Sequence, residues 1–269
     1  MTNLAGDADR YQTDVLDKRV SLLDLAADYA PSETLPVAHL DQAFPPIAPR
    51  TYSVSSAPSG AGTRASLTVG VLAGDARSGR GRFHGMCSTY LSSLREDDEF
   101  FVKLKRPGPG FTLPDDDATP VIMICAGTGI APFRGFLQHL AARHEAGQPV
   151  PPVVLLRGCR RSDHDHIYGD EIATWVEQGW LRYFCAYSHE PGADPRHVED
   201  VILEQADLLR PLLDSGAKVL VCGDAQTFYD DIQDTIVALG PGGAGDVDEA
   251  QRWLEERKSA GQYVIDIWA

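Results

Sequence analysis

Four short stretches of this sequence combine residue types that can hold or move charge. In "CAGTGIAPFRGF" (125–136), Gly127 and Gly129 flank Thr128 between an apolar run and an amphipathic one. A glycine turn that opens a helix offers backbone N–H groups and the positive end of the helix dipole, so the chemistry available there is binding of a pyrophosphate. Pro132 stands where the dinucleotide fingerprint has its third glycine, and it suits the first helical turn, where its missing N–H costs nothing. Alone, the motif fits an ordinary strand-to-helix turn equally well. "VCGDA" (221–225) ends a second apolar run and brings Cys222, Gly223 and Asp224 toward the same crevice, although a single cysteine at a strand end is usually a small core residue. "RTYSVSS" (50–56) alternates as a strand does, with Arg50 entering it ahead of Tyr52 and Ser53. The chain closes on "DIWA", where Asp266 and Trp268 share one face of a strand. A tryptophan so near the end carries a large flat surface that should cover something.

The elements that position these groups follow from periodicity. From about residue 119 the sequence alternates strand, turn and helix: "PVIMICAG", "PVVLLRG", "LRYFCAYS", "AKVLVCGD" and "QYVIDIW" are separated by helical stretches, one of them read as continuous over 197–216. The first and fourth runs are almost wholly apolar, as in strands buried on both faces of a parallel sheet. Five strands with crossover helices predict a doubly wound domain whose ligand lies at the carboxyl ends of its strands. Upstream, "RTYSVSSA" and "ASLTVGVLA" read as antiparallel strands across "PSGAGTR", "EFFVKLKR" as a third strand, and Ser88 or a neighbour as the start of a short helix. Residues 11–49 read as two helices, 11–30 and 37–44, ended by Pro31 and by "PPIAP".

Composition excludes several classes. There are 39 acidic against 24 basic residues, a net charge of -15, which is the wrong sign for a phosphate-backbone binder. No apolar run approaches the ~20 residues of a membrane helix, and the first residues have no secretory pattern. Five scattered cysteines without a CxxC pair point to a reducing compartment, with the cytoplasm as the expectation, and away from a disulfide framework or zinc site. His164 and His166 in "SDHDH" read as a solvated loop rather than metal ligands, and "GPGGAG" (240–245) as a flexible connector.

The order and spacing of "RTYSVSS", "GMCSTYL", "GTGIAPFRGF", "GCRRSDHDHIYGDEI", "VCGDA" and "DIWA" resemble the FAD- and NADPH-binding module of the diflavin reductases. That family includes microsomal haemoprotein reductase, the flavoproteins of nitric oxide synthase and sulfite reductase, and fusions to cytochrome P-450 monooxygenases. The resemblance spans nearly the whole chain. It implies a ferredoxin-NADP reductase-like α/β fold with a β-barrel: a helical connecting segment over 1–49, a partial antiparallel FAD-binding barrel over 50–118 and an NADP-binding domain over 119–269. It further implies that Arg50, Thr51, Tyr52 and Ser53 hold FAD, with Arg50 on the pyrophosphate, Tyr52 against the isoalloxazine and Ser53 near flavin N5. Thr68, Val69 and Gly70 match a flavin-contacting strand, and Gly85, Met86, Cys87 and Ser88 a diphosphate turn. Thr128 and Arg160 correspond to NADPH contacts, with Gly223 and Asp224 at the same crevice. Ser53, Cys222 and Asp266 match the group around the transferred hydride, and Trp268 matches the aromatic lid that moves aside for nicotinamide.

Two departures qualify that pattern. The family's 2′-phosphate site is Ser-Arg followed by Lys and Tyr; here Ser188 is kept, His189 replaces Arg, and Arg196 and His197 stand near the other two positions. Arg196 can pair with phosphate, whereas Glu190 and Asp194 repel it unless turned away, and NADPH remains the expected donor. The chain also starts within what resembles the connecting segment, without the barrel strands and FMN domain that precede it in the family, so it reads as a fragment, a truncated product or a half needing a partner. The expected partner is an FMN-containing flavodoxin-like domain or protein, a haem monooxygenase or another electron acceptor. The competing readings are a single-flavin ferredoxin or flavodoxin reductase and a non-catalytic nucleotide-binding remnant.

Overall fold

A computed structural model describes residues 6–29, 44, 46–58, 64–223 and 226–267. The chain divides into two compact units, Met1–Thr51 with Val69–Phe100, and Tyr52–Thr68 with Phe101–Ala269.

In the first unit, α1 (Ala8–Tyr11) starts at Asp7, whose carboxylate accepts the Arg10 N–H at 3.0 Å, and continues into a π-helical turn, Gln12–Leu16. The single helix expected over 11–30 is interrupted. Arg19 is left-handed (φ 52), and a Ser21–Asp24 box, with Ser21 Oγ accepting the Asp24 N–H and Asp24 accepting the Ser21 N–H, begins α2 (Leu22–Tyr29) afresh. The helix expected at 37–44 lies outside the described residues, apart from Phe44. β1 (Ala73–Asp75) and β2 (Arg82–His84) form an antiparallel hairpin, followed by α3 (Met86–Ser93), which begins two residues before Ser88. The longer strands expected over 50–57, 65–73 and 99–106 do not form. Between the first two a single antiparallel bridge joins Val54 to Leu67, both in the second unit, and 100–107 carries no ladder. Alternating apolar residues make a strand only where a neighbour takes their N–H and C=O groups.

The second unit carries a five-stranded parallel sheet: β3 (Val121–Ala126), β4 (Val153–Cys159), β5 (Leu181–Tyr187), β6 (Lys218–Gly223) and β7 (Tyr263–Ile267), in the order β5-β4-β3-β6-β7. Its helices are α4 (Ile130–Glu145), α5 (Gly169–Glu177), α6 (Val198–Glu204), α7 (Ala206–Asp214), α8 (Gln226–Leu239) and α9 (Val247–Ser259). Alternate residues of each strand feed two separate cores. Ile122, Ile124, Val154, Leu156, Val219 and Val221 face α6 to α9, while Val121, Met123, Val153, Leu155 and Leu220 face α4 and α5. Burial on both faces explains why β3 is apolar throughout. The helix expected over 197–216 breaks at Gln205, which lets Val201 and Ile202 of α6 and Leu209 and Leu213 of α7 all reach one core.

Two loop expectations need correction. His166 is not a solvated loop residue: its ring nitrogens bond to the hydroxyls of Tyr183 (2.9 Å) and Tyr187 (3.0 Å), and burial lowers its pKa. "GPGGAG" is a structured turn, with Gly242 and Gly243 at positive φ, a 3-10 turn at Gly243–Gly245 and Asp246 capping α9 through the Glu249 N–H. Among the described residues no helix is long and apolar enough to cross a membrane. All five cysteines are free.

Candidate functional site

The order of the sheet reverses between β3 and β6, and a ligand crevice is expected outside the carboxyl ends of such strands. A cavity of about 270 Å³ lies at the carboxyl ends, lined among others by Thr128, Arg160, Ser188, Arg196, Glu199 and Phe228. The chain leaves β3 through a 3-10 turn, Gly127–Gly129, and enters α4 directly. Gly127 has φ 54, a left-handed value that favours glycine. At Gly129 an added methyl would overlap the carbonyl oxygen of Cys222 and lie 2.8 Å from its carbonyl carbon. The glycine pair therefore lets the β3 turn sit hard against the end of β6 and leaves the first N–H groups of α4 facing the crevice, a cradle that fits a diphosphate. Gly223, at the end of β6, makes a second close approach, because a methyl there would meet the Phe228 ring at 2.7 Å.

The expected nucleotide residues separate into groups. Thr128, Arg160, Ser188, Arg196 and His197 all line the cavity. Asp165 supports the Arg160 loop by accepting the backbone N–H groups of Arg160 (2.8 Å) and Arg161 (2.8 Å). Burial pushes the Asp165 carboxyl up, but these donors outweigh it and hold the pKa below the ordinary value. His189 is not among the lining residues; its ring shares a 2.8 Å hydrogen bond with Ser188 Oγ. Glu190 is turned to Ser162, whose N–H and hydroxyl donate to its carboxylate at 2.8 and 2.9 Å. Arg196 is paired with Glu204 at 2.5 Å. Sequence reasoning missed Gly158, Cys159, Val198, Glu199 and Phe228 in this lining.

Cys222 and Asp266 are partners in the register of β6 and β7. Cys222 is fully buried, and burial pushes its thiol pKa up, so the neutral thiol is the form present. Burial also raises Asp266, opposed by the charge of Lys105. Asp224 and Trp268 lie outside the described residues. Tyr52 and Ser53 are half-buried in the second unit, as is Thr68, whose hydroxyl shares a 2.7 Å bond with Tyr168.

The segment carrying Tyr52 and Ser53 is fastened within this unit by residues that sequence reasoning did not single out. Arg134 makes two bonds to Glu171 (2.6 and 2.8 Å), donates to the Ser55 carbonyl at 2.8 Å and lies 4.3 Å from the centre of the Tyr168 ring. Gln138 accepts the Ala57 N–H at 3.1 Å, and a methyl at Gly135 would come within 3.2 Å of the Ser56 carbonyl. Tyr168 opens α5 from a left-handed conformation, φ 65. The available signal was Gly135 itself, since a glycine inside an amphipathic helix marks a close approach.

The other residues expected at the flavin belong to the first unit. Arg50 is exposed and donates to the Ala48 carbonyl at 2.9 Å; Thr51 and Gly70 are exposed and Val69 is half-buried. Gly85 caps α3 and has no side chain to bond its first N–H groups, which among the described residues leaves those of Met86 and Cys87 as donors for an anion. A methyl at Gly85 would lie 2.8 Å from Ser88 Oγ, and Ser88 is buried, bonding to the Leu72 N–H and the Gly85 carbonyl. This turn fits a diphosphate.

Residues 1–90 match the FAD binding domain family and residues 123–234 the oxidoreductase NAD-binding domain family. The chain is 36% identical over 261 residues, 96% of its length, to the bifunctional cytochrome P450/NADPH–P450 reductase 1 of Bacillus subtilis (strain 168), covering 24% of that protein. It is 34% identical over its full length to a protein of the same description from Fusarium oxysporum (26% covered), and 35% identical over 96% to a self-sufficient cytochrome P450 monooxygenase of Phanerodontia chrysosporium (25% covered). The chain thus spans about a quarter of the length of the curated relatives it matches.

Proposed function

The chain belongs to the FAD- and NADPH-binding modules of the diflavin reductase family, and from that premise we propose that it takes hydride from NADPH and delivers electrons to an FMN or haem protein. Bound FAD would supply the two-electron acceptor and one-electron donor that side chains lack. The observation that carries the reading is the cavity at the carboxyl ends of β3, β4 and β5, floored by a glycine turn that tolerates no side chain at Gly129.

In this reading the N–H groups of the Gly127–Gly129 turn and the charge of Arg160 hold the NADPH diphosphate, with Thr128 beside them. Ser188, His189, Arg196 and His197 attend the adenosine end, and Gly223 and Asp224 the crevice wall. Arg50, Thr51, Tyr52, Ser53, Thr68, Val69, Gly70 and the Gly85–Ser88 turn hold FAD. Ser53, Cys222 and Asp266 surround the transferred hydride, which needs alignment and polar neighbours rather than a strong acid or base. A neutral Cys222 and a carboxylate on the adjoining strand meet that need. Trp268 covers the flavin and moves aside for nicotinamide. The domains run 1–49, 50–118 and 119–269, and the protein works in the cytoplasm, a setting supported by its five free cysteines.

The test is the visible spectrum of the purified protein with added FAD, before and after anaerobic NADPH. Bound flavin that bleaches supports the reading. Flavin retained but not bleached rejects hydride transfer, and a colourless protein rejects the flavoenzyme assignment for this chain.

A further inference from the structure

Glu199 lines the nucleotide cavity, one of its carboxylate oxygens is buried, and that oxygen has no hydrogen-bond partner among the described residues. An unpaired buried acceptor is costly, and the cost is recovered when a donor arrives. Among the described residues no lining group donates to it, and Arg196 is instead paired with Glu204. Glu199 sits in the first turn of α6, beyond the end of β5, whereas the diphosphate cradle is the turn after β3. A dinucleotide laid from β3 across β4 toward β5 therefore brings its adenosine half to Glu199. That half carries hydroxyl donors when the ribose is free, and an anion when its 2′ position is phosphorylated.

We propose that Glu199 sets nucleotide specificity: its carboxylate accepts from the free ribose hydroxyls and its charge weakens the hold on a 2′-phosphate. The consequence is that the pocket accepts NADH alongside NADPH. A carboxylate on the ribose hydroxyls is the device by which NAD-binding sites recognise their ligand. Here it stands in one cavity with Arg160 and Arg196, the cations that would hold a phosphate. The inference rests on the nucleotide-site reading above and adds the residue that narrows its selectivity.

The test is calorimetric titration of the protein with NADP+ and with NAD+, separately, for the wild type and Glu199→Gln, which needs no bound flavin. Removing the charge should tighten NADP+ about tenfold, the order of one charge–charge contact screened by water, and weaken NAD+ about threefold. The ratio of the two affinities then moves by more than tenfold. If both nucleotides bind and the ratio is unmoved, the role of Glu199 is overturned while the nucleotide site stands. If neither binds the wild type or the variant, the nucleotide site itself fails and this inference with it.

Discussion

Phe133 and Phe101 are the same residue in two halves of one sequence, and one is 0% exposed while the other is fully exposed. Around Phe133 each of β3 to β6 is followed by a crossover helix, so the stretch that contains the apolar residues also contains their cover. Around Phe101 the apolar residues Phe100, Val102 and Leu104 are exposed as well, and among the described residues the strand pairing of 65–84 is one bridge and a three-residue ladder. An apolar alternation is half of what specifies a strand; a hydrogen-bonding neighbour is the other half. The nucleotide half carries both in local sequence, and the flavin half carries mainly the first.

The largest expected effect tests the self-covered half. Phe133 stacks with Phe111 at 5.9 Å between ring centres, and Phe133→Ala should cost about 3–5 kcal/mol. Urea unfolding followed by tryptophan fluorescence reads this directly, since Trp175 and Trp180 share that core. A cost below ~1 kcal/mol would show that the core relaxes around the gap. Next comes Gly129→Ala, which drives a methyl into the Cys222 carbonyl and should cost about 2–3 kcal/mol while abolishing NADP+ binding by calorimetry. Unchanged binding would remove the glycine cradle from the argument.

This contrast also explains what could be read in the sequence. The parallel sheet was legible from its strand-turn-helix rhythm, and β3 and β6 most plainly, because burial on both faces leaves continuous apolar runs, as in "VIMIC" between Pro120 and Gly127. The cavity was legible as far as its glycine turn and the residues just beyond strand ends, such as Thr128, Arg160 and Ser188. Glu199 was not, because a carboxylate in the first turn of a helix is what a solvated helix start also shows. Arg134 and Tyr168 were hidden for a different reason: their partners Ser55 and Thr68 lie 79 and 100 residues away, beyond any local period. In the flavin half, where pairing is sparse, alternation alone predicted more strand than formed.

The fastening of 52–58 and 64–68 to α4 and α5 gives intermediate effects. The bonds from Arg134 hold the Glu171 pKa below its ordinary value, with burial opposing them. A carboxylate with a depressed folded pKa adds stability above its unfolded value near ~4.3, and that stability is lost as pH falls through the lower folded value. Wild type should therefore lose about 1 kcal/mol on acidification below pH ~4 that Glu171→Gln does not lose, measured as the difference of their unfolding free energies across that window. Equal losses would mean that the pair is solvated. Tyr168→Phe removes only the hydroxyl bond to Thr68 and should cost about 1 kcal/mol at neutral pH, with the Arg134 stacking retained.

The smallest effect is the most direct test of the contrast. Phe101 has no burial to lose, so Phe101→Ser should change the unfolding free energy by less than ~0.5 kcal/mol, against the several expected at Phe133. The substitution also trades a β-favouring aromatic for a serine, which would matter if 99–106 were paired as a strand in solution. A measured cost above ~1 kcal/mol would then mean that this stretch is covered, and that the two halves differ less than their exposure indicates. A negligible cost, together with a gain in solubility from removing an exposed ring, would place the specification of this stretch outside its own local sequence.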